Sequence, residues 1–269
     1  GSEMCIRDRQ MTETGVSYAN ALADAQKQGF AEADPTNDVC GFDAARKLAI
    51  LSSIGFRANV TFDDVLVEGI EKIDKSDIQY AKEMGYTIKL LTVALRQEDG
   101  IALNVYPAFL PDNHPLSSVK GSYNAIYVTG NIVDDVMFYG RGAGALPTAS
   151  AVMGDVISTA QHILNGSTGT GMIMTDTKRI PFYSSLKLQN SYYFRLDVDD
   201  VTGVLSQIAS AFAEHEISIC EVVQKRKAKG VAELVLITEM ASRESILHVE
   251  KALQVLPCMR KVANVIRVM

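Results

Sequence analysis

The first third of the chain is patterned for helices. Apolar residues recur every three or four positions after Ser17, which can cap a helix that Gly29 ends. The same spacing predicts a second helix over residues 38–54, with its apolar residues along one face. A third helical stretch covers residues 76–84. We therefore expect helices to dominate up to residue 84.

Beyond that point the apolar pattern changes to one typical of strands. Residues 87–95 and 101–109 are rich in β-formers and flank Gln97-Glu98-Asp99-Gly100, which suits a hairpin turn. Residues 124–129 and 132–139 repeat the pattern around a Gly-Asn pair. The four strands predict an antiparallel or mixed sheet with helices over one face.

A glycine-rich loop, Gly140-Arg141-Gly142-Ala143-Gly144, leads into a predicted helix over residues 147–164. Proline at its start and Gly166 after its end match the preferences of helix termini. Residues 167–177 then turn to Gly, Ser and Thr with few large apolar side chains, which is typical of a boundary between domains.

The last part of the chain alternates strands and helices. Its predicted elements are strand 192–197, helix 203–215, strands 217–224 and 231–239, helix 242–256 and strand 262–268. The order βαββαβ is that of the ferredoxin-like split unit. The predicted fold class is therefore α+β: a mixed β-sheet covered by helices, followed by a ferredoxin-like βαββαβ unit.

Composition and charge exclude several partners. The net charge is −6, and no run of Lys and Arg could follow a phosphate backbone, so no nucleic acid partner is expected. No apolar run approaches the roughly 20 residues that cross a bilayer, and no signal-peptide pattern opens the chain, so no membrane is expected either. The four cysteines and four histidines lack metal-ligand spacing. We expect no metal site and a reducing, cytoplasmic location.

The densest polar cluster surrounds the start of the second predicted helix. It contains Glu32, Asp34, Asp38, Asp43 and Lys47. One interpretation is structural: acids near a helix N-terminus favour the macrodipole, and an i,i+4 acid–lysine pair stabilises a helix surface by about 0.2–0.5 kcal/mol. The other interpretation is a binding and catalytic site.

The full pattern of this segment favours the second interpretation. It reads Ala25-x-x-x-Gly29-Phe30-Ala31-Glu32-x-Asp34-Pro35-x-x-Asp38-Val39-x-Gly41-x-Asp43-x-x-x-Lys47. This pattern resembles the signature of homoserine dehydrogenase. The resemblance implies a reversible, NADPH- or NADH-dependent reduction of aspartate semialdehyde to homoserine, on the pathway to threonine, methionine and isoleucine.

The resemblance also implies roles for individual residues. Glu32 and Asp43 match positions that bind the substrate, and carboxylates suit its ammonium group. Lys47 matches a catalytic position, where a lysine can stabilise the negative charge that grows on the aldehyde oxygen and can deliver a proton. Asp34 and Asp38 are expected to support or cap the site rather than to contact substrate.

Two glycines are implied to face the nicotinamide cofactor. Gly144, in the loop before Leu146-Pro147-Thr148, resembles the family's segment that returns to the nucleotide domain, and Gly29 matches another backbone position near the cofactor. Glycine suits both, because no Cβ blocks the approach of the backbone. Without the resemblance, the loop could equally be only a tight connection.

The C-terminal unit resembles an ACT domain, a module that binds amino acids between two copies. The resemblance rests on Asp199-Asp200-Val201-Thr202-Gly203-Val204-Leu205, where backbone N–H groups can receive a carboxylate. Asp200 and Gly203 are therefore candidate effector-binding residues. Threonine, the pathway's end product, is the effector to expect, and a unit that only dimerises is the alternative.

The chain departs from the family at its start. A dinucleotide-binding Rossmann domain, which binds most of the NADP or NAD in the family, is not expected in this sequence. Residues 1–9 are expected to be a leader outside the family, followed by a catalytic and substrate domain over residues 10–166, a linker over 167–190 and the ACT domain over 191–269. The 269-residue chain alone is therefore expected not to transfer hydride.

Two functions remain open from the sequence. The first is an incomplete homoserine dehydrogenase that forms a homodimer or tetramer. The alternative is a stand-alone ACT protein that senses an amino acid without catalysis. A sensor has no use for Glu32, Asp43 and Lys47, so the presence of these three residues favours the enzyme.

Overall fold

The computed structural model describes residues 36–121, 123–142, 144–167, 179–226 and 230–269. The chain divides into two compact units. The first unit comprises residues 1–65 and 113–180, and the second unit comprises residues 66–112 and 181–269. The helix predicted after Ser17 lies outside the described residues.

The regular elements of the described ranges follow in chain order. The helices are α1 (Thr36–Val39), α2 (Phe42–Phe56), α3 (Lys75–Glu83), α4 (Ala145–Leu164), α5 (Val204–Ala213) and α6 (Arg243–Gln254). The strands are β1 (Leu66–Val67), β2 (Tyr86–Gln97), β3 (Gly100–Pro111), β4 (Tyr123–Gly130), β5 (Asp134–Arg141), β6 (Gln189–Asp199), β7 (Ile219–Arg226), β8 (Val231–Thr238), β9 (Ala241–Ser242) and β10 (Met259–Val268).

The second predicted helix is divided in the structure. Residues 36–39 and 42–56 form α1 and α2 instead of one helix from residue 38. Gly41 separates them because its φ of +79° is left-handed, a conformation that glycine adopts without a steric penalty. Helix α2 then buries Ala45, Leu48 and Ala49 along one face. The predicted helix is therefore confirmed, but its start was wrong, and of the predicted apolar stripe Leu48, Leu51 and Ile54 only Leu48 is buried.

The first predicted hairpin is confirmed. Strands β2 and β3 pair antiparallel along their full lengths, from Tyr86 opposite Pro111 to Gln97 opposite Gly100. The second predicted hairpin also forms, with β4 and β5 paired as a separate two-stranded sheet in the first unit. The prediction of one sheet for these strands is wrong: β4 and β5 form a sheet of their own, whereas the β2–β3 hairpin joins β1 and β10 along the free edge of β3.

The turn between β2 and β3 packs closely against a later segment of the second unit. The Ile101 N–H donates to the Pro181 carbonyl at 3.0 Å, and the Tyr183 N–H donates to the Ile101 carbonyl at 2.8 Å. A Cβ atom on Gly100 would lie 2.2 Å from the Pro181 carbonyl oxygen. Only glycine fits at this position, since both sides of the contact are backbone.

Substitution of Gly100 should therefore destabilise the protein. We expect Gly100→Ala to lower the free energy of unfolding by about 1–3 kcal/mol, the usual cost of forcing an atom into filled space. Urea unfolding followed by circular dichroism measures the change. Gly55→Ala is the control, because a Cβ on this helical glycine meets nothing within 4 Å. Equal stability of the two variants would contradict the prediction.

The C-terminal part of the second unit is a ferredoxin-like βαββαβ unit, as predicted. Its strands lie in the order β10-β6-β8-β7, and each neighbouring pair is antiparallel. Residues of α5 and α6 pack on one face of the sheet around Phe194, Leu196 and Phe212. The four strands, the β2–β3 hairpin, β1 and β9 belong to one eight-stranded mixed sheet. The predicted α+β fold class is confirmed.

The opposite face of this sheet is also covered. Tyr80 and Ala81 of α3 and Phe109 of β3 pack against Tyr193 and Val235 in a second apolar cluster. The central strands β6 and β8 are thus buried on both faces within their own unit, whereas the edge strand β7 is largely exposed.

The glycine-rich loop precedes a long helix in the first unit. Helix α4 has 20 residues and begins directly after Gly144. Among the helices of the described ranges, none combines the length and the apolar character needed to cross a membrane.

Candidate functional site

Asp43 and Lys47 lie together at the start of α2, as their spacing predicts. The Lys47 Nζ is 2.6 Å from the Asp43 Oδ2, and the two side chains are 60% and 44% exposed. Asp43 stands in the first turn of the helix, where a carboxylate favours the macrodipole. An ion pair in such exposed surroundings contributes about 0–1 kcal/mol. Its acid and its ammonium therefore remain available to a ligand.

The face of α2 beside this pair carries a groove. The groove has a volume of about 430 Å³ and is lined by Arg46, Ala49, Ile50, Ser53, Ile54, Val60, Thr61 and Phe62. Among these residues, the Arg46 Nη1 donates to the Asn37 Oδ1 at 3.2 Å, and its guanidinium lies 5.3 Å from the centre of the Phe62 ring. Sequence alone did not single out Arg46, although it directly precedes Lys47.

Two of the predicted site residues, Glu32 and Gly29, lie outside the described residues, as does Asp34. Asp38 falls within α1. The structure therefore brings together Asp43 and Lys47, and the other members of the cluster stay predictions.

Gly144 caps the N-terminus of α4. Its φ of +121° is strained for other residues, and no side chain caps the helix. A Cβ atom at Gly144 would lie 3.4 Å from the Pro147 ring. Without that atom, no side chain of its own covers the Gly144 backbone at the start of the helix. The open helix start suits a ligand that approaches main-chain N–H groups.

The predicted effector loop joins β6 to α5 in the second unit. The Asp199 N–H donates to the Cys258 carbonyl and the Asp200 N–H to the Gly230 carbonyl, both at 3.0 Å. Gly203 has a φ of +86° at the N-cap of α5, again without a side-chain cap. The first N–H groups of this 10-residue helix can therefore receive an anionic group.

A bound metal ion would require a cluster of side chains that can ligate it. Across the described ranges, no group of three or more His, Cys, Asp or Glu side chains is arranged to hold a metal ion. The nearest histidine pair, His215 and His248, has ring centres 6.1 Å apart.

The fold and the candidate site together define a class of protein: an α+β protein with an exposed acid–lysine pair on one unit and a ferredoxin-like βαββαβ unit in its C-terminal part. The family model of homoserine dehydrogenase matches residues 8–157, and the ACT domain model matches residues 192–258. The chain belongs to the homoserine dehydrogenase family, and the predicted resemblance is confirmed.

Relatives of known name agree with this assignment. A homoserine dehydrogenase of Corynebacterium glutamicum is 40% identical over 262 residues, which cover 96% of this chain and 58% of that protein. The enzyme of Bacillus subtilis is 39% identical over 254 residues, which cover 93% of this chain and 58% of that protein. The chain thus spans under 60% of the length of these two relatives.

Solved structures agree as well. The structure of a homoserine dehydrogenase from Thiobacillus denitrificans matches 100% of this chain and 62% of its own, with a TM-score of 0.91 and 32% identity. That of S. aureus homoserine dehydrogenase at pH 7.0 matches 100% of this chain and 64% of its own, with a TM-score of 0.73 and 28% identity.

Proposed function

We propose that this chain supplies the substrate-binding part of a homoserine dehydrogenase, an NAD(P)-dependent oxidoreductase that interconverts L-homoserine and L-aspartate 4-semialdehyde. The observation that carries the proposal is the exposed Asp43–Lys47 pair, 2.6 Å between Nζ and Oδ2, inside the region that the family model matches. An acid and a lysine in solvent contact are the two groups that this substrate needs.

Asp43 is the proposed ligand of the substrate ammonium, together with Glu32. The Asp43 carboxylate holds the Lys47 ammonium through a weak, exposed ion pair. A substrate ammonium can therefore take the place of Lys47 on Asp43 at little cost. This exchange frees the Lys47 Nζ beside the bound substrate.

Lys47 is the proposed proton donor. During reduction the aldehyde oxygen gains negative charge, which a nearby ammonium stabilises, and the same group can protonate the oxygen as homoserine forms. In the reverse direction the amine of Lys47 removes the hydroxyl proton. One side chain therefore serves both directions.

NADPH or NADH supplies the hydride when it is bound. Gly144 is a residue of this chain that fits such a cofactor, because its bare backbone and the uncapped start of α4 leave N–H groups open. Gly29 is proposed to have a similar role. Most cofactor contacts are proposed to come from a nucleotide-binding domain outside these 269 residues, which are proposed to be inactive alone.

Regulation, assembly and location complete the proposal. Threonine is the proposed effector at Asp200 and Gly203, because the open start of α5 suits the carboxylate of an amino acid. The proposed assembly is a homodimer or tetramer. The proposed compartment is the cytoplasm, which suits Cys40, Cys220 and Cys258, since none of these three described cysteines forms a disulfide.

Calorimetry with homoserine and threonine tests these assignments. We expect Asp43→Asn to weaken homoserine binding about 10–100-fold, the value of one hydrogen bond to a charged group, and to leave threonine binding unchanged. Glu83→Gln is a matched control, because Glu83 is 43% exposed and 2.6 Å from the Lys225 Nζ.

Each outcome separates the two candidate functions. Homoserine binding that is lost in Asp43→Asn and kept in Glu83→Gln supports the enzyme. Binding of both amino acids that responds only to Asp200→Asn would support the stand-alone ACT sensor. Homoserine binding that ignores Asp43 would contradict the proposed substrate site.

A further inference from the structure

An ionic cluster, buried except at Asp74, lies on the face of the ferredoxin-like sheet that α3 covers. We name it the Arg195 cluster, and its members are Asp74, Asp77, Tyr80, Tyr193, Arg195 and Glu233. Arg195 is 5% exposed and Asp77 is fully buried. Charged groups are rarely buried unless they are paired. The alternation of apolar and polar residues along β6 predicts a solvent-facing polar residue at position 195, so the burial of Arg195 needs an explanation.

A single guanidinium joins three carboxylates. The Arg195 Nε donates to the Asp77 Oδ1 at 2.7 Å, and Nη1 donates to the Glu233 Oε2 at 3.4 Å. Nη2 donates to Asp74. Arg195 and Glu233 lie on the neighbouring strands β6 and β8, whereas Asp74 and Asp77 lie at the start of α3. The cluster therefore fastens a helix to a sheet.

Tyrosine and amide groups complete the carboxylates' hydrogen bonds. The Tyr193 hydroxyl donates to Asp77 at 3.2 Å, the Tyr80 hydroxyl donates to Glu233 at 2.8 Å, and the Asn264 Nδ2 donates to Asp77 at 2.7 Å. Burial would by itself lower the pKa of Arg195, but its hydrogen bond to Asp77 and the charges of the acids raise it above the ordinary value. The guanidinium stays charged.

Arg195 holds the residues that begin α3. Asp74 is the N-cap, whose side chain accepts from the Ser76 and Asp77 N–H groups, and Asp77 accepts in return from the Asp74 N–H at 3.1 Å. This reciprocal pair is a capping box. Because Arg195 binds both carboxylates, a shift of its strand acts directly on the helix start. Helix α3 continues through Gly85 into the β2–β3 hairpin.

The other end of the same strand leads to the candidate effector loop. Arg195, Asp197 and Asp199 alternate along β6 and so share one face. The loop from Asp199 to Gly203 follows four residues after Arg195. Strand β6 is hydrogen-bonded on both sides, to β8 and β10. A strand held in this way is a rigid element of the kind that carries coupling between sites.

We propose that Arg195 is a positioning residue that couples the loop Asp199–Gly203 to the start of α3, so that a ligand bound at the loop alters the hairpin segment. The proposal rests on the proposed function for the ligand and for its site at this loop, whereas the coupling between the loop and α3 does not. Coupling between two sites is reciprocal. A change at the start of α3 must therefore also alter the loop Asp199–Gly203.

Amide hydrogen exchange on the 269-residue protein tests the coupling without any ligand. We expect Asp77→Asn to speed exchange about tenfold both in α3 and at residues 199–204, because the variant lowers the free energy of local opening in both segments. Helix α6, on the other face of the sheet, should keep its wild-type exchange. Glu83→Gln is the control, because Glu83 lies at the far end of α3 in an exposed pair with Lys225.

A second variant guards against loss of folding. Tyr193→Phe removes the hydrogen bond between β6 and Asp77 without changing any charge, and we expect it to speed exchange at residues 199–204 more than in α6. In either variant, faster exchange in α3 together with a wild-type exchange rate at residues 199–204 would overturn the proposed coupling. The Arg195 cluster would then have only a structural role.

L-threonine provides a separate readout for the proposed effector. In the wild type it should slow exchange at residues 199–204 and in α3, whereas in Tyr193→Phe it should slow exchange mainly at the loop. Threonine that protects no part of the loop would count against the effector assignment. The ligand-free comparison would still decide whether the coupling exists.

Discussion

Replacement of Arg195 by methionine is expected to lower the free energy of unfolding by about 3–5 kcal/mol, the usual cost of removing one partner of a buried ion pair. Methionine fills much of the same space, so the loss of charge is the main change. Asp77 and Glu233 would then be buried without the guanidinium that neutralises them. Urea unfolding followed by circular dichroism measures the difference.

An exposed arginine of the same unit serves as the control. Arg260 Nε lies 2.6 Å from the Asp199 Oδ1, a shorter distance than some within the Arg195 cluster, but both side chains are in contact with solvent. We expect Arg260→Met to change stability by about 0–1 kcal/mol. Similar losses in the two variants would contradict the argument that burial, rather than distance, determines the effect.

Lys47→Ala is expected to reduce turnover about 10²–10⁴-fold, the usual contribution of a positioned proton donor. Because the lysine is proposed to act on charge that develops during reduction, kcat should fall much more than KM rises. The assay is NADPH oxidation with aspartate semialdehyde, in a chimaera that joins this chain to the preceding part of the Corynebacterium glutamicum relative.

Lys225→Ala is the matched control for this experiment. Lys225 is also an exposed lysine, 44% accessible and 2.6 Å from a carboxylate oxygen of Glu83, but it lies outside the proposed site. Its activity should equal that of the unchanged chimaera. Equal activity of Lys47→Ala and Lys225→Ala would show that Lys47 has no catalytic role.

Local patterns predicted the regular elements well. The runs of β-formers on either side of Gln97-Glu98-Asp99-Gly100 identified the β2–β3 hairpin, and the order of the last six predicted elements identified the ferredoxin-like unit. These features depend on neighbours in sequence, where side-chain period and turn chemistry act directly. The break at Gly41 was missed because a glycine near a helix start can cap it, interrupt it or lie within it.

The partners of each strand could not be predicted in the same way. Strand β3 takes the end of β10 as a neighbour, with Arg267 opposite Ala108, although some 160 residues separate them. The division of the chain into residues 10–166, 167–190 and 191–269 stays a prediction. The compact units of the structure instead combine residues 66–112 with residues 181–269.

The candidate site was also predicted only in part from the sequence. The spacing of Asp43 and Lys47 was sufficient to place both on one helical face, because i and i+4 positions are neighbours on any helix. Their roles, like those of Glu32, Gly29, Gly144, Asp200 and Gly203, were inferred from resemblance and stay predictions. The groove beside Arg46 became visible only when Val60 and Phe62 were packed next to α2.

By itself the sequence determined the family, the kinds of elements and the acid–lysine pair, since each depends on residue types at short and regular separations. The tertiary structure decided which strands share a sheet, and it revealed the Arg195 cluster. Arg195 and Asp77 are 118 positions apart, and each is ordinary in its own segment. Their contact exists only because folding places β6 beneath the start of α3. Both side chains are removed from water there, and buried charges are stable only when an opposite charge neutralises them.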